Sequence, residues 1–206
     1  MKFSDNDFES LRKKVEERLS SGRYFHTIGV VEAAVKLAEL CLPESIRDVE
    51  IAALLHDISK EYQLKEQYSL IKDFGIDVDE EDYGSPAVLH SFTGPAVIKR
   101  DFPTYSTCEI LRAVYNHTVG APDMTVFDEI IFLADYIEEG RKYDSCISVR
   151  NYVFDNMKAG ETESNVIILH KACIRAIDYT LENLKSQNKP INNKNILTRN
   201  ALLSKI

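Results

Sequence analysis

The sequence predicts a single-domain, all-α helical bundle of eight or more helices, and three observations carry that expectation. Apolar residues recur at three- and four-residue spacing along most of the chain, as in Phe8, Leu11, Val15 and Leu19. No Asn-Gly or Asp-Gly pair separates alternating apolar runs, so no hairpin is signalled. The 206 residues are 44% hydrophobic and 28% charged, proportions of an ordinary globular domain rather than a disordered, collagenous or rod-like chain. A chain this long buries roughly 70% of the surface its unfolded form exposes, so one core suffices and one domain over 1–206 is the reading.

The elements follow in order. Ser4 and Asp7 have the spacing of a capping box ahead of the Phe8–Leu19 stripe. Val30, Val31, Ala34, Leu37, Ala38 and Cys41 make a second stripe, stopped by Pro43; Ile51, Ala52, Leu54, Leu55 and Ile58 make a third. Ser85-Pro86 reads as an N-cap followed by a proline in the first turn, and Gly94-Pro95 as a break in the helix so begun. Ile110, Leu111, Val114 and Tyr115 form a short helix ending before Gly120-Ala121-Pro122. Thr125, with Asp128 three residues on, opens a helix through Ile130, Leu133 and Ile137 to Gly140. Two more stripes follow, Val149–Met157 and Val166–Leu184. Ser186–Asn195 is rich in Asn, Lys and Gln and reads as a loop; 186–206 forms a C-terminal tail, with Asn200–Ile206 docking as a last turn.

Composition narrows the function classes. Thirty-three acidic against 25 basic residues give a net charge of −8, which argues against binding a nucleic-acid polymer. It does not exclude a small phosphorylated substrate, because a bound metal reverses the field locally. No apolar run approaches the ~20 residues a bilayer requires, and the polar, acidic start Met1-Lys2-Phe3-Ser4-Asp5 lacks the apolar stretch of a signal peptide. Cys41, Cys108, Cys146 and Cys173 are too far apart for a zinc motif and read as reduced, mostly buried thiols of a cytoplasmic protein. A symmetric homodimer is a common assembly for chains of this size, but no residue pattern decides it.

Five histidines occur, and four of them fall into a series with two carboxylates: His26, His56-Asp57, His90, His117 and Asp135. Asp135 alone reads more readily as an exposed acid, and His56-Asp57 alone is a weak signal, although it follows the buried-looking run Ile51–Leu55. The separations of 30, 33, 27 and 18 residues suit one ligand per successive helix, and bundle cores are where helical proteins assemble metal sites. Imidazole and carboxylate without thiolate suit iron, manganese or zinc better than magnesium or calcium. The fifth, His170, lies outside the series and reads as structural.

The pattern His…His-Asp…Asp resembles that of the HD-domain metal-dependent phosphohydrolases. Within them, the stretches Arg23–Thr27, Ala53–Lys60, Leu89–Pro95, Asn116–Gly120 and Phe132–Arg141, with the late Thr198–Leu203, are similar to those of the YqeK-type symmetrical bis(5′-nucleosyl)-tetraphosphatases. Asn116 and Val119 depart from that pattern, which more often has an aromatic and a Thr there. The resemblance implies an HD core over 20–142 and cleavage of diadenosine tetraphosphate, a dinucleoside polyphosphate, into two ADP.

It also implies roles. His26, His56, Asp57 and Asp135 would hold one metal, iron in the first place, with manganese or zinc as alternatives; such an ion lowers the pKa of bound water towards roughly 7. With a second metal, Asp57 would bridge and His90 and His117 would complete the site; with one, those two would bind phosphate. Asp57, His56 and Lys60 form the expected catalytic group, and Arg23, Lys60, His90, His117 and Arg141 the substrate-binding group. Tyr24, Tyr62 and Tyr136 are candidates to line the cleft, although aromatics at helical spacing more often belong to a core. Three rivals stand beside this reading: another nucleotidase or phosphodiesterase of the superfamily, a nucleotide sensor with a slow site, and a helical domain whose histidines never meet. The last predicts side chains spread more than ~10 Å apart, out of reach of a cation with ligands at ~2 Å.

Overall fold

The computed structural model describes residues 3–206; Met1 and Lys2, part of the polar start, lie outside the described residues. Eleven α-helices and no strand occur among the described residues. They are α1 (Asp5–Arg18), α2 (Ser21–Cys41), α3 (Ile46–Leu55), α4 (Leu64–Phe74), α5 (Glu80–Tyr83), α6 (Leu89–Asp101), α7 (Cys108–Asn116), α8 (Val126–Ile137), α9 (Asp144–Asn156), α10 (Thr162–Ser186) and α11 (Asn193–Leu203). None is long and apolar enough to cross a membrane. Cys41, Cys146 and Cys173 are buried and Cys108 exposed, all as free thiols.

Two helices are buried all round, and they organise the rest. Ile51 to Leu55 of α3 are each 0% exposed, and every residue of α8 from Phe127 to Ala134 is buried. A run buried on every face can only sit inside a core, and in α8 its two acids, Asp128 and Glu129, are paired with Arg112 and His170. The long α2 packs on both, its Ala33, Ala34 and Ala38 permitting close approach, while α7 lies against α3, α6 and α8. The outer α10 covers α8, α9 and α2. Capping boxes start α1 at Ser4/Asp7 and α8 at Thr125/Asp128, where the sequence places them.

Several expectations are corrected. Gly94-Pro95 does not break α6, which runs unbroken from Leu89 to Asp101. Proline removes one backbone bond, but the helix is held by burial of Phe92, Val97 and Ile98, and Gly94 serves close packing against α7 instead. Ser85-Pro86 is not the cap of this helix; it lies in a turn, and α6 starts three residues after Pro86 with no side-chain cap. The sequence reading passed over α4 and the short α5. The former is capped by Gln63 and Glu66 and ended by Gly75 in the left-handed region (φ 56°).

The loop expected over Ser186–Asn195 is shorter, because α11 already begins at Asn193. Its inward face is Asn195, Thr198 and Leu202, mostly polar and therefore silent in an apolar pattern. Asn195 donates to the Val119 carbonyl at 3.0 Å, and Thr198 packs on Gly120, where a Cβ would come within 2.7 Å of Thr198 Cγ2 and a φ of +74° also favours glycine. Asn192 and Lys194 reach Asp82 and Asp79 beside α5.

At Gly94 two effects oppose each other. Alanine in a helix interior is normally favoured over glycine by ~0.5–1 kcal/mol, but a Cβ here would lie 2.8 Å from Cγ1 of Val114, a stiff β-branched side chain that is fully buried. Overpacking wins, so Gly94→Ala is expected to destabilise the protein by ~1–2 kcal/mol in urea denaturation. A gain in stability would show that α6 and α7 are free to part.

Candidate metal centre

The histidine and carboxylate series converges. His26 comes from the first turns of α2, His56 and Asp57 from the end of α3, His90 from the start of α6, His117 from the end of α7 and Asp135 from the last turn of α8. Ring centroids of His26 and His56 are 5.5 Å apart, those of His56 and His117 5.2 Å, and those of His90 and His117 5.0 Å. The reading in which these histidines never meet is thereby excluded.

Local physics fixes the rings. His56 and His117 are the C-caps of α3 and α7, and each places Nδ1 against the carbonyl three residues back: Ala53 at 2.7 Å and Val114 at 2.6 Å. The terminal carbonyls of a helix lack intrahelical donors, so an Nδ1–H satisfies one and leaves Nε2 as a lone-pair donor aimed into the cluster. His26 instead directs Nδ1 at Glu138 Oε1, 3.2 Å away.

Asp57, 3% exposed, lies between two sets of nitrogens. Its Oδ2 is 3.3 Å from His56 Nε2, 3.8 Å from His26 Nε2 and 2.7 Å from Arg23 Nη1. Its Oδ1 is 3.1 Å from His90 Nε2 and 3.6 Å from His117 Nε2. Asp135 Oδ1 meets His26 Nε2 at 3.1 Å and Arg141 Nη2 at 2.6 Å. Burial pushes Asp57 up, but the histidine nitrogens facing its oxygens, those of His56 first and then of His117 and His90, outweigh it and hold the carboxyl well below its usual range. Asp135 is likewise held low against its burial, by His26, Arg141 and His56. Burial brings His90 down to about 4 despite its bond to Asp57, so this imidazole is neutral at pH 7.

The donors fit a metal ion. His26, His56 and Asp135 form one group, and His56, Asp57 and His117 another, whose ligand atoms all lie within 4.8 Å of one another. Nε2 of His26 and of His56 are buried without any hydrogen-bond partner. A buried polar atom left unpaired is costly, and two such lone-pair donors facing anionic oxygens are what a cation would satisfy.

The three cations expected near phosphate surround the cluster. Arg23 and Arg141 pair with Asp57 and Asp135. Lys60 Nζ lies 3.2 Å from both ring nitrogens of His90, and burial lowers its pKa. Two hollows reach the cluster. One of about 560 Å³ is lined by Arg23, His26, Arg141 and Tyr143; the other, about 370 Å³, by Lys60, Tyr62, Gln67 and His90. A roomier hollow of about 650 Å³ between Tyr68 and Tyr83 touches none of these groups. Of the three tyrosines, Tyr62 lines a hollow beside the cluster. Tyr24 packs on the core and accepts from Arg12, and Tyr136 borders an adjoining depression with Tyr179 that shares Arg141 and Tyr143 with the first hollow. His170 is paired with buried Glu129 at 2.6 Å, away from the cluster, as the sequence suggested.

Sequence reasoning missed two participants. Thr118 Oγ1 lies 3.2 Å from His117 Nε2 and 3.4 Å from His90 Nε2. Glu138, 3% exposed, is the C-cap of α8. A signal existed for Glu138, since an acid at a helix C-terminus opposes the macrodipole and needs a reason to be there.

Residues 23–140 match the family model described as the HD domain. A Bacillus subtilis protein named symmetrical bis(5′-nucleosyl)-tetraphosphatase is 32% identical over 190 residues, covering 92% of this chain and 94% of its own. A Staphylococcus aureus protein of the same name is 31% identical over 156 residues, covering 76% and 79%. A crystal structure of a Clostridium acetobutylicum protein, described as a predicted HD superfamily hydrolase involved in NAD metabolism, superposes with a TM-score of 0.82. It is 25% identical, over 97% of this chain and 98% of that one.

Removing the carboxylate shared by both nitrogen sets should empty the centre. Asp57→Ala is expected to purify folded but without stoichiometric metal on elemental analysis; full metal content would show that the carboxylate is dispensable for binding.

Proposed function

Because the chain belongs to the HD-domain family, we propose that it is a metal-dependent phosphohydrolase that cleaves diadenosine tetraphosphate at the centre of its polyphosphate, releasing two ADP. The observation that carries this reading is the position of Asp57, with one oxygen facing His26 and His56 and the other facing His90 and His117. The relatives of the same name at 32% and 31% identity support the substrate. His26, His56, Asp57 and Asp135 would hold one metal, and were a second ion bound, Asp57 would be shared and His90 and His117 would complete its ligand set. Iron is our first choice, and manganese and zinc fit the same imidazole and carboxylate donors. When bound, the metal supplies Lewis acidity towards phosphate oxygen and makes water more acidic.

The chain's own residues do the rest. Arg23 and Arg141 stand at the mouth of one hollow and Lys60 at the mouth of the other, so a polyanion laid across the cluster meets a cation on each side. That local charge overcomes a net balance of −8. Hollows on both sides of Asp57 suit a substrate with a nucleoside at each end, which favours a dinucleoside polyphosphate over a mononucleotide. The Asp57 carboxylate, held ionised by its neighbours, is placed to orient the attacking water as a hydrogen-bond acceptor. We place the reaction in the cytoplasm, where three buried free thiols would persist.

Product analysis tests the reading. Metal-loaded protein incubated with diadenosine tetraphosphate should yield ADP alone. ATP with AMP, or no turnover, would overturn it, and tight binding without turnover would favour a sensor. Arg141→Ala should raise KM about tenfold or more, the effect of losing a charge-assisted hydrogen bond, with metal content unchanged on elemental analysis.

A further inference from the structure

The turn after α8 is built around one carboxylate that the HD signature does not include. Glu138 is 3% exposed, its Oε1 lies 3.2 Å from His26 Nδ1, and its Oε2 accepts from the backbone N–H of Gly140. Two glycines make room for it. A Cβ on Gly29, one turn beyond His26 in α2, would come within 2.6 Å of Glu138 Oε2, and one on Gly140 within 2.8 Å of the same oxygen. The turn is itself held, since Arg150 donates to the carbonyls of Ile137, Glu138 and Arg141.

We infer that Glu138 is a positioning residue that fixes His26 as its Nδ1–H tautomer and so presents Nε2 to the metal centre; this rests on the metal-binding role proposed for His26. The other rings do not use a side-chain carboxylate for this. His56 and His117 are oriented by backbone carbonyls, which no substitution removes, and Nδ1 of His90 faces Lys60. Both Glu138 oxygens accept a hydrogen bond, one from the imidazole and one from the backbone. A glutamine has a single acceptor oxygen and an amide donor. An amide NH2 turned to Gly140 would set donor against donor, so the glutamine oxygen stays on the Gly140 N–H and its NH2 faces His26, which must then accept at Nδ1 and carry its proton on Nε2, where it cannot ligate. Outer carboxylates of this kind typically contribute 10–100-fold to metal affinity.

The test uses Glu138→Gln, which keeps the side-chain shape, and Gly29→Ala, which keeps the charge but drives the carboxylate out of place. Nitrogen-15 NMR of histidine-labelled, metal-free protein at pH 8.5 reports the His26 tautomer, and Mn²⁺ titration followed by EPR reports affinity. The wild type should show His26 protonated on Nδ1. Both variants should shift that proton towards Nε2 and weaken Mn²⁺ binding 10–100-fold, while the far-ultraviolet spectrum stays unchanged. An unchanged tautomer with Mn²⁺ affinity within twofold of wild type in Glu138→Gln would overturn the inference. Should that variant not fold, the same two readings on Gly29→Ala decide it. A wild type that takes up no Mn²⁺ or other divalent metal would overturn the metal-centre reading instead, and the tautomer would still judge the role of Glu138.

Discussion

Burying an ionised carboxylate without partners costs several kcal/mol, and the protein meets that cost at Asp57 by surrounding it with nitrogen. Four histidines and Arg23 face its two oxygens, and they arrive from α2, α3, α6 and α7. The compensation works only while these helix ends stay together. That requirement fits the deep burial of the runs Ile51–Leu55 of α3 and Phe127–Ala134 of α8, the helices that carry His56-Asp57 and Asp135. Their middles make the core, and their ends deliver the polar groups to one place.

Helix termini are well suited to this task. A histidine at a C-cap closes its Nδ1 onto a carbonyl that the helix leaves unpaired, so one contact completes the helix and chooses the tautomer. His56 and His117 both do so. His26 enters near the start of α2, where no such carbonyl is at hand, and its Nδ1 meets Glu138 from the turn after α8. The acidic balance of the chain is reversed at the mouth by Arg23, Lys60 and Arg141, drawn from three separate segments.

Much of the bundle was legible. The capping boxes at Ser4 and Thr125 and the stripes of α2, α8 and α10 read directly, because propensity, capping and burial agree there. The all-buried run Ile51–Leu55 also marked His56-Asp57 as interior. Legibility failed where tertiary contact overrides local rule. Pro95 sits inside a helix because packing around Phe92 and Val97 outweighs one lost bond. The α11 helix buries Asn195 and Thr198, whose polarity reads as loop until their partners Val119 and Gly120 are known. Glu138 looked like an ordinary acid at a helix end, since its partners His26 and Gly29 lie more than a hundred residues earlier.

The sequence by itself determined the helical class, most of the helices and the series of ligand-type residues, because apolar period, caps and residue chemistry are local properties. Only the tertiary structure decided which oxygen of Asp57 faces which histidines, which hollows border them and that Glu138 stands behind His26. Those are distances between segments far apart in the chain, set by how α2, α3, α6, α7 and α8 pack, and no local pattern encodes them.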